Sequence, residues 1–483
     1  MRARLRSPRL WLVPLVVAAA LGGFVADCVH FDWKLDDAYI AFAYAQNWVA
    51  GHGIVFNPGE RVEGYTCFLW VAASALGLLL GADVRWWSTT LGVLAGGGTL
   101  LAAWRLAVDV APVRLRGIAV VALVVLAGYP ALAWWAASGM ETTLFTLLVT
   151  VAIWRHVRDG AGSVVAPVCL ALASMTRPEG WLLAGVLCLD AFRIGTVRQA
   201  TRYAGLFAAL FGPYYAWRFW YYGYPFPSTF YAKVGYTRSQ LYRGAAYLRD
   251  FLGPGAGAPV LAVAALGARR RTLGVHAFLL AYLAYVVSVG GDVFAFHRFL
   301  VPIVPAAAAF AAAGLLRVAA RLPRPLPVAL LLCAGSGLAL VPLFLPAWRA
   351  QSRELPAVHR MERFGDLACE RLRAATGPDE EIATVAVGQI RYCTGRRVID
   401  MVGLTDRQVA HRPATEIGSG LAGHEKFDSE YVLARWPRYI LIPDEHFPHP
   451  VGAVHDMWRQ PLFRTYYVRD WYAYRRIDAP PAP

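Results

Sequence analysis

Charge is what this sequence has little of. Asp, Glu, Lys and Arg together make 16% of the chain, too few to solvate a soluble globular protein of this size. Cysteine is present without pattern. The seven cysteines, at positions 28, 67, 169, 188, 333, 369 and 393, form no CxxC and no Cys/His spacing suited to zinc, which excludes cysteine and structural-zinc chemistry as the function. No segment recurs at a fixed period, which argues against a transporter built from inverted repeats.

What is abundant is apolar: 57% hydrophobic and 13% aromatic residues, with a mean hydropathy of +0.42. Such a chain belongs in a bilayer. The net charge of +15 does not imply nucleic acid, because the basic residues fall in short clusters between apolar runs and form no stripe on a soluble domain. Apolar runs lie at 9–27, 88–104, 117–136, 142–157, 163–177, 180–194, 203–221, 255–267, 273–290, 299–317 and 325–346. They predict a polytopic α-helical membrane protein of about eleven spans. The basic opening MRARLRSPRL and the long run after it read as an uncleaved first helix and not as a signal peptide.

A further run at 65–81 would invert everything downstream if it crossed the membrane. Arginine decides its placement. With 65–81 in the outer interface, the arginines of 105–116, 155–158, 193–202, 269–271 and 317–324 are inside, and the short outer turns keep only Arg177 and Arg298. The N-terminus is then cytoplasmic, and outer loops at about 28–87 and 222–252 share a face with everything beyond 347. This divides the chain into a membrane domain, 1–347, and an extracytoplasmic domain, 348–483. In the latter, the short β-branched runs EEIATVAVG, RRVIDMVGL and RYILIPD accompany a helical stretch at 354–375, the pattern of a small mixed α/β domain. The closing DAPPAP reads as a disordered tail. Cys369 and Cys393 fall on the oxidising side and could pair, but spacing alone leaves that open.

Five clusters of reactive residues fall on this outer face. Asp36 and Asp37 follow the first span, a pairing suited to a base and a partner that orients it or holds a cation. The turn-rich loop at 44–66 adds His52, Asn57, Glu60, Arg61, Glu63 and Tyr65. Glu141 ends a membrane hairpin, where a carboxylate is a functional candidate or a group that merely reaches water. Arg177 and Glu179 bracket a proline, as either site residues or a structural ion pair. The segment 221–236 sets Lys233 among aromatics that include Tyr231, fitting a lipid-phosphate or sugar ligand or an interfacial belt. Asp292, His297 and Arg298 mark the last boundary, Arg298 being able to clamp a phosphate through two donors. The convergence points to an anionic lipid-phosphate donor and a hydroxylated acceptor, with a carboxylate as base and cations at the leaving phosphate. A transporter or flippase of lipid-linked sugars is the alternative, and it would instead bury ionisable groups at the bilayer midplane.

The block LDDAYIAFAYAQNWVAGHGIVFNPGERVEGYTCFLW, with SGMETTLF, YYGYPFPSTFYAK, GGDVFAFHRFLVPIVP and RVIDMVGLTD, resembles the GT-C membrane glycosyltransferases. Within them the chain is similar to the arabinofuranosyltransferase-like proteins of actinobacterial cell walls, and more distantly to protein mannosyltransferases and lipid A aminoarabinose transferases. The resemblance implies a polyprenyl-phosphate sugar donor, an envelope glycan or lipid acceptor, inverting transfer and an inner-membrane location. It also implies that the first acid of the pair, Asp36, is the base, with Glu141 as a second acid. Some members use a divalent cation, Mg or Mn, which Asp37 and Glu141 would hold here. Ala43 stands where the family pattern has an arginine.

Overall fold

The computed structural model describes residues 9–253, 264, 269–413, 417–443 and 451–477, with side chains from residue 13 onward. The expected span at 255–267 and the tail at 478–483 lie outside the described residues, apart from position 264. Each other expected span coincides with helix. Arg9–His30, Thr142–Asp159, Val165–Thr176, Gly180–Ile194 and Val197–Tyr222 follow the apolar runs closely. The run at 117–136 is broken into Val113–Ala127 and Pro130–Ala137, bent by 58°. Pro130 starts the second piece, since its ring is best tolerated in a first helical turn, where no backbone N–H is needed.

Among the described residues, five helices are individually long and apolar enough to cross a bilayer, or six if the bent pair counts as one. The chain is a multi-span membrane protein, and the other helices complete the bundle by packing against these. Phe68–Leu79, the run that decided the topology, has 12 residues and extends about 18 Å at 1.5 Å per residue. That is short of the roughly 30 Å hydrocarbon core.

The last span does not stop at the membrane. Pro325–Ala375 is one helix of 51 residues that passes the expected domain boundary without a break and delivers the chain to a five-stranded mixed sheet. Strands β1 (Glu381–Thr384), β2 (Arg397–Asp400), β3 (Tyr439–Leu441), β4 (Tyr467–Asp470) and β5 (Ala473–Arg476) are ordered β2-β1-β3-β5-β4. β1 is parallel to β2 and β3, whereas β5 is antiparallel to β3 and β4. Ile382, Ala383, Val398, Ile399 and Ile440 are all buried, and because successive residues such as Ile382 and Ala383 point to opposite faces, both faces at the centre of the sheet are covered. Cys369 and Cys393 form a disulfide with Cα atoms 5.9 Å apart, tying the long helix to the short helix Val387–Thr394.

Candidate functional site

Several helix ends meet at one level and enclose a cavity of about 440 Å³. Two of the carboxylates there owe their place to helix starts. Glu141 immediately precedes Thr142–Asp159 and Glu179 immediately precedes Gly180–Ile194, positions where the helix macrodipole favours an anion. Arg177 ends Val165–Thr176, where it favours a cation. Arg177 joins the two acids: Nη1 donates to Glu141 at 2.7 Å and Nη2 to Glu179 at 2.8 Å, all three side chains being buried. The structural ion pair that the sequence left as an alternative is present, widened by Glu141 into a three-membered charged knot that lines the cavity wall.

Beside that knot, with the Phe299 ring 4.9 Å from Arg177 and 5.4 Å from Arg298, the chain passes through Phe296 and His297, both left-handed, and presents Arg298 at the start of a short 3-10 turn. Arg298 donates through Nε to Asp292 at 2.7 Å and lies 4.7 Å from the centroid of the Phe294 ring. Its Nη1 is buried without a partner. Arg243, from helix Arg238–Leu252, donates to the Gly290 carbonyl at 3.1 Å and to Glu425 and the Gly420 carbonyl at 2.9 Å each. Its Nη2 is likewise buried and unpartnered. Lys233 lines the same cavity, with its stem against Gly423 and no hydrogen-bond or ion-pair partner for the ammonium among the described residues.

The segment from Asp37 to Tyr65 supplies the third side. Asp37 lines the cavity, and its carboxylate has no hydrogen-bond or ion-pair partner among the described residues. Glu63 faces Arg218 in a two-point ion pair, with one contact of 2.8 Å between Nε and Oε1. Burial pushes the Glu63 carboxyl up to about 7 against the pull of that guanidinium. Tyr65 shares a hydroxyl contact of 3.0 Å with Tyr222. Trp181, Phe211, Tyr214, Tyr215, Phe226 and Phe230 close the wall with aromatic surface.

Superposition on solved structures settles the architecture. ArnT from Cupriavidus metallidurans in the apo state covers 97% of this chain and 98% of its own at a TM-score of 0.56 and 16% identity. The same protein bound to undecaprenyl phosphate covers 82% and 86% at a TM-score of 0.52 and 14% identity. The chain shares the fold of ArnT. A relative in sequence, the terminal β-(1→2)-arabinofuranosyltransferase of Mycobacterium tuberculosis, is 31% identical over 245 residues. That match covers 46% of this chain and 38% of the relative's own length. Residues 350–478 match a family model described as a domain of unknown function (DUF8728).

The two adjacent acids, Asp36 and Asp37, part company. Asp36 does not line the cavity: its two oxygens accept N–H bonds from Gly388 and Gln389 at 3.0 and 2.9 Å. Burial pushes its carboxyl up to about 6, with those two bonds pulling the other way. Ala43, where an arginine was expected, is fully buried in the core, and the cavity's guanidiniums come from Arg177, Arg218, Arg243 and Arg298 instead.

Six further candidates stand outside the cavity lining. Asn57 exchanges two hydrogen bonds with Val398 of β2, and Glu60 pairs with Arg397 and Arg435. Arg61 lies over the Tyr221 ring at 4.7 Å. Tyr231 packs on His411 at 4.4 Å between centroids, and His297 packs against Tyr247 and Phe251. His52 is exposed at a turn. Two cavity residues, Arg218 and Arg243, escaped the reading of the sequence. For Arg243 the one available signal was its place in an outer loop ten residues after Lys233.

A divalent cation finds no ready seat. Among the described residues no group of three or more His, Cys, Asp or Glu side chains converges, and Glu141, one of the two acids expected to hold it, is engaged by Arg177. The donor set among the described residues does not fit a resident cation.

Proposed function

We propose that this protein transfers a sugar from a polyprenyl-phosphate carrier to a hydroxyl of an envelope glycan or lipid, at the outer face of the inner membrane and with inversion. The observation that carries the reading is a single aromatic-walled cavity holding a free carboxylate, Asp37, together with cationic donors that are not spent. Those donors are the Lys233 ammonium, Arg298 Nη1 and Arg243 Nη2. The acceptor hydroxyl attacks the anomeric carbon from the face opposite the phosphate while Asp37 takes its proton. The bond from that carbon to the phosphate oxygen breaks, and the electron pair leaves with the polyprenyl phosphate, whose charge Lys233, Arg298 and Arg243 stabilise. The base is therefore placed on Asp37 and not on Asp36, because both oxygens of Asp36 are already bonded to backbone amides.

Undecaprenyl phosphate bound to ArnT supports the carrier class, and the name of the mycobacterial relative supports an arabinofuranosyl donor. The inward arginine bias and the disulfide between Cys369 and Cys393 support an outward sheet domain. The test is transfer by the purified protein in lipid nanodiscs, offered polyprenyl-phosphate pentoses and hexoses with an envelope-glycan acceptor. Product of inverted anomeric configuration with release of polyprenyl phosphate is expected. Donor binding without transfer to any acceptor would overturn the reading.

A further inference from the structure

The C-terminal domain, which matches a family model of unknown function, makes a continuous series of contacts to the first outer loop. Helix Val387–Thr394 has no side-chain cap from its own N-cap residue, Ala386, so the amides of its first turn need outside acceptors. Asp36 supplies them, one carboxylate oxygen to Gly388 and the other to Gln389. The two segments touch backbone to backbone. A Cβ on Gly388 would come within 2.0 Å of the Asp36 carbonyl oxygen and 2.9 Å of the Ile40 nitrogen, so no larger residue fits.

One turn on, Arg391 is 2% exposed and has no carboxylate beside it. It donates to the Phe56 carbonyl at 2.8 Å and to Asn47 Oδ1 at 3.0 Å. Asn47 in turn donates to the carbonyls of Val55 and Phe56 at 2.8 Å each. Burying a guanidinium against neutral oxygens alone is expensive, so this group fixes the loop's shape at a cost in stability. Beyond it, Asn57 completes the open edge of β2 in the manner of an added strand. Arg397 reaches the Pro58 carbonyl at 3.2 Å, and Arg407 reaches that of Arg61 at 2.6 Å. Where this series begins and ends, Asp37 and Glu63 enter the cavity.

We infer that residues 387–407 of the C-terminal domain serve as a mould that positions Asp37, with Gly388, Gln389 and Arg391 as its positioning residues. The disulfide belongs to the device. Cys393 closes the mould helix and Cys369 sits on the helix that rises from the membrane, so the mould is fastened covalently to a span.

The consequence for turnover rests on the function proposed above, so the test has two independent arms. In the first, amide hydrogen exchange is followed in the intact protein in nanodiscs for wild type, Gly388→Ala and Arg391→Lys. Loss of protection confined to 36–64 and 387–394, with 142–159 unchanged, is expected. Unchanged protection at 36–64 would overturn the mould whatever the reaction proves to be. In the second arm, Gly388→Ala should lower kcat by about a hundredfold, the scale of an ångström-level misplacement, while the donor KM stays within about twofold. Arg391→Lys should retain more activity than Arg391→Met. Equal losses in kcat and donor affinity would overturn a positioning role. Inactive wild type with the exchange pattern as expected would reject only the proposed reaction.

Discussion

Arg177 donates to Glu141 across 2.7 Å, although 36 residues separate them and both side chains are almost fully enclosed. With Glu179 on its other nitrogens, the guanidinium is the only counter-charge hydrogen-bonded to either acid among the described residues. Arg177→Met should therefore destabilise the protein by about 3–5 kcal/mol, the scale for stranding a buried charge. Adding Glu141→Gln and Glu179→Gln should recover part of that loss. Unfolding followed in detergent by tryptophan fluorescence checks this, and a midpoint unchanged in the single variant would contradict it.

The division between neighbouring acids gives a sharper contrast. Asp37→Asn should reduce turnover by at least about a hundredfold, within the range for removing a general base, with donor affinity preserved. Asp36→Asn should instead loosen the sheet domain and retain measurable turnover. Single-turnover kinetics on both variants decides the assignment. A silent Asp37→Asn substitution would return the role to Asp36.

Donor binding should follow the unspent cations. Arg298→Ala, Arg243→Ala and Lys233→Met are each expected to weaken polyprenyl phosphate binding by about ten- to a hundredfold, the worth of a charge-assisted hydrogen bond of roughly 1.5–3 kcal/mol. Binding of a dephosphorylated polyprenol should be unaffected. Titration of the two lipids into each variant separates the charge contribution from contacts with the tail.

The buried carboxyls make stability depend on pH in a defined direction. Asp36 and Asp400 are each pushed from 3.8 to about 6, burial being the largest cause for both. Between those values the folded protein holds protons that the unfolded chain has released. Their contribution is thus full below about pH 3.8 and is lost as pH rises through about 6. Asp36→Asn should flatten the fall in melting temperature across that window. An identical slope in wild type and variant would show that Asp36 does not carry the dependence.

The membrane class and most helix positions were legible because they depend on apolar run length, which is local. The clustering of Asp37, Glu141, Arg177, Lys233 and Arg298 was legible because arginine bias assigns sides without reference to packing. What stayed hidden depends on contacts distant in sequence. Asp36 and Asp37 are equivalent as types, and only the Gly388 and Gln389 amides, some 350 positions later, draw one of them out of the cavity. Asn57 and Glu60 looked like ligand-binding residues because a polar loop has the same composition whether it meets a sugar or a sheet edge. Arg243 sits on a helix whose charged pattern matches that of a solvated face, and its free nitrogen is apparent only once Gly290 and Glu425 surround the others. The pairing of Cys369 with Cys393 required a Cα geometry that spacing does not supply.

The rod Pro325–Ala375 spans about 77 Å at 1.5 Å per residue, rooted in lipid at one end and bolted near the other to the helix that grips Asp36. Its length makes it a lever: a tilt of a few degrees at its root would displace its tip by several ångströms, and Pro342, Pro346 and Pro356 are the points where such a helix can bend. On the function proposed above, a bilayer whose thickness alters the tilt of this segment would thereby move the helix that holds Asp36. Turnover compared in short-chain and long-chain phosphatidylcholine discs should differ for the wild type, and the difference should shrink once the Cys369 to Cys393 bolt is reduced.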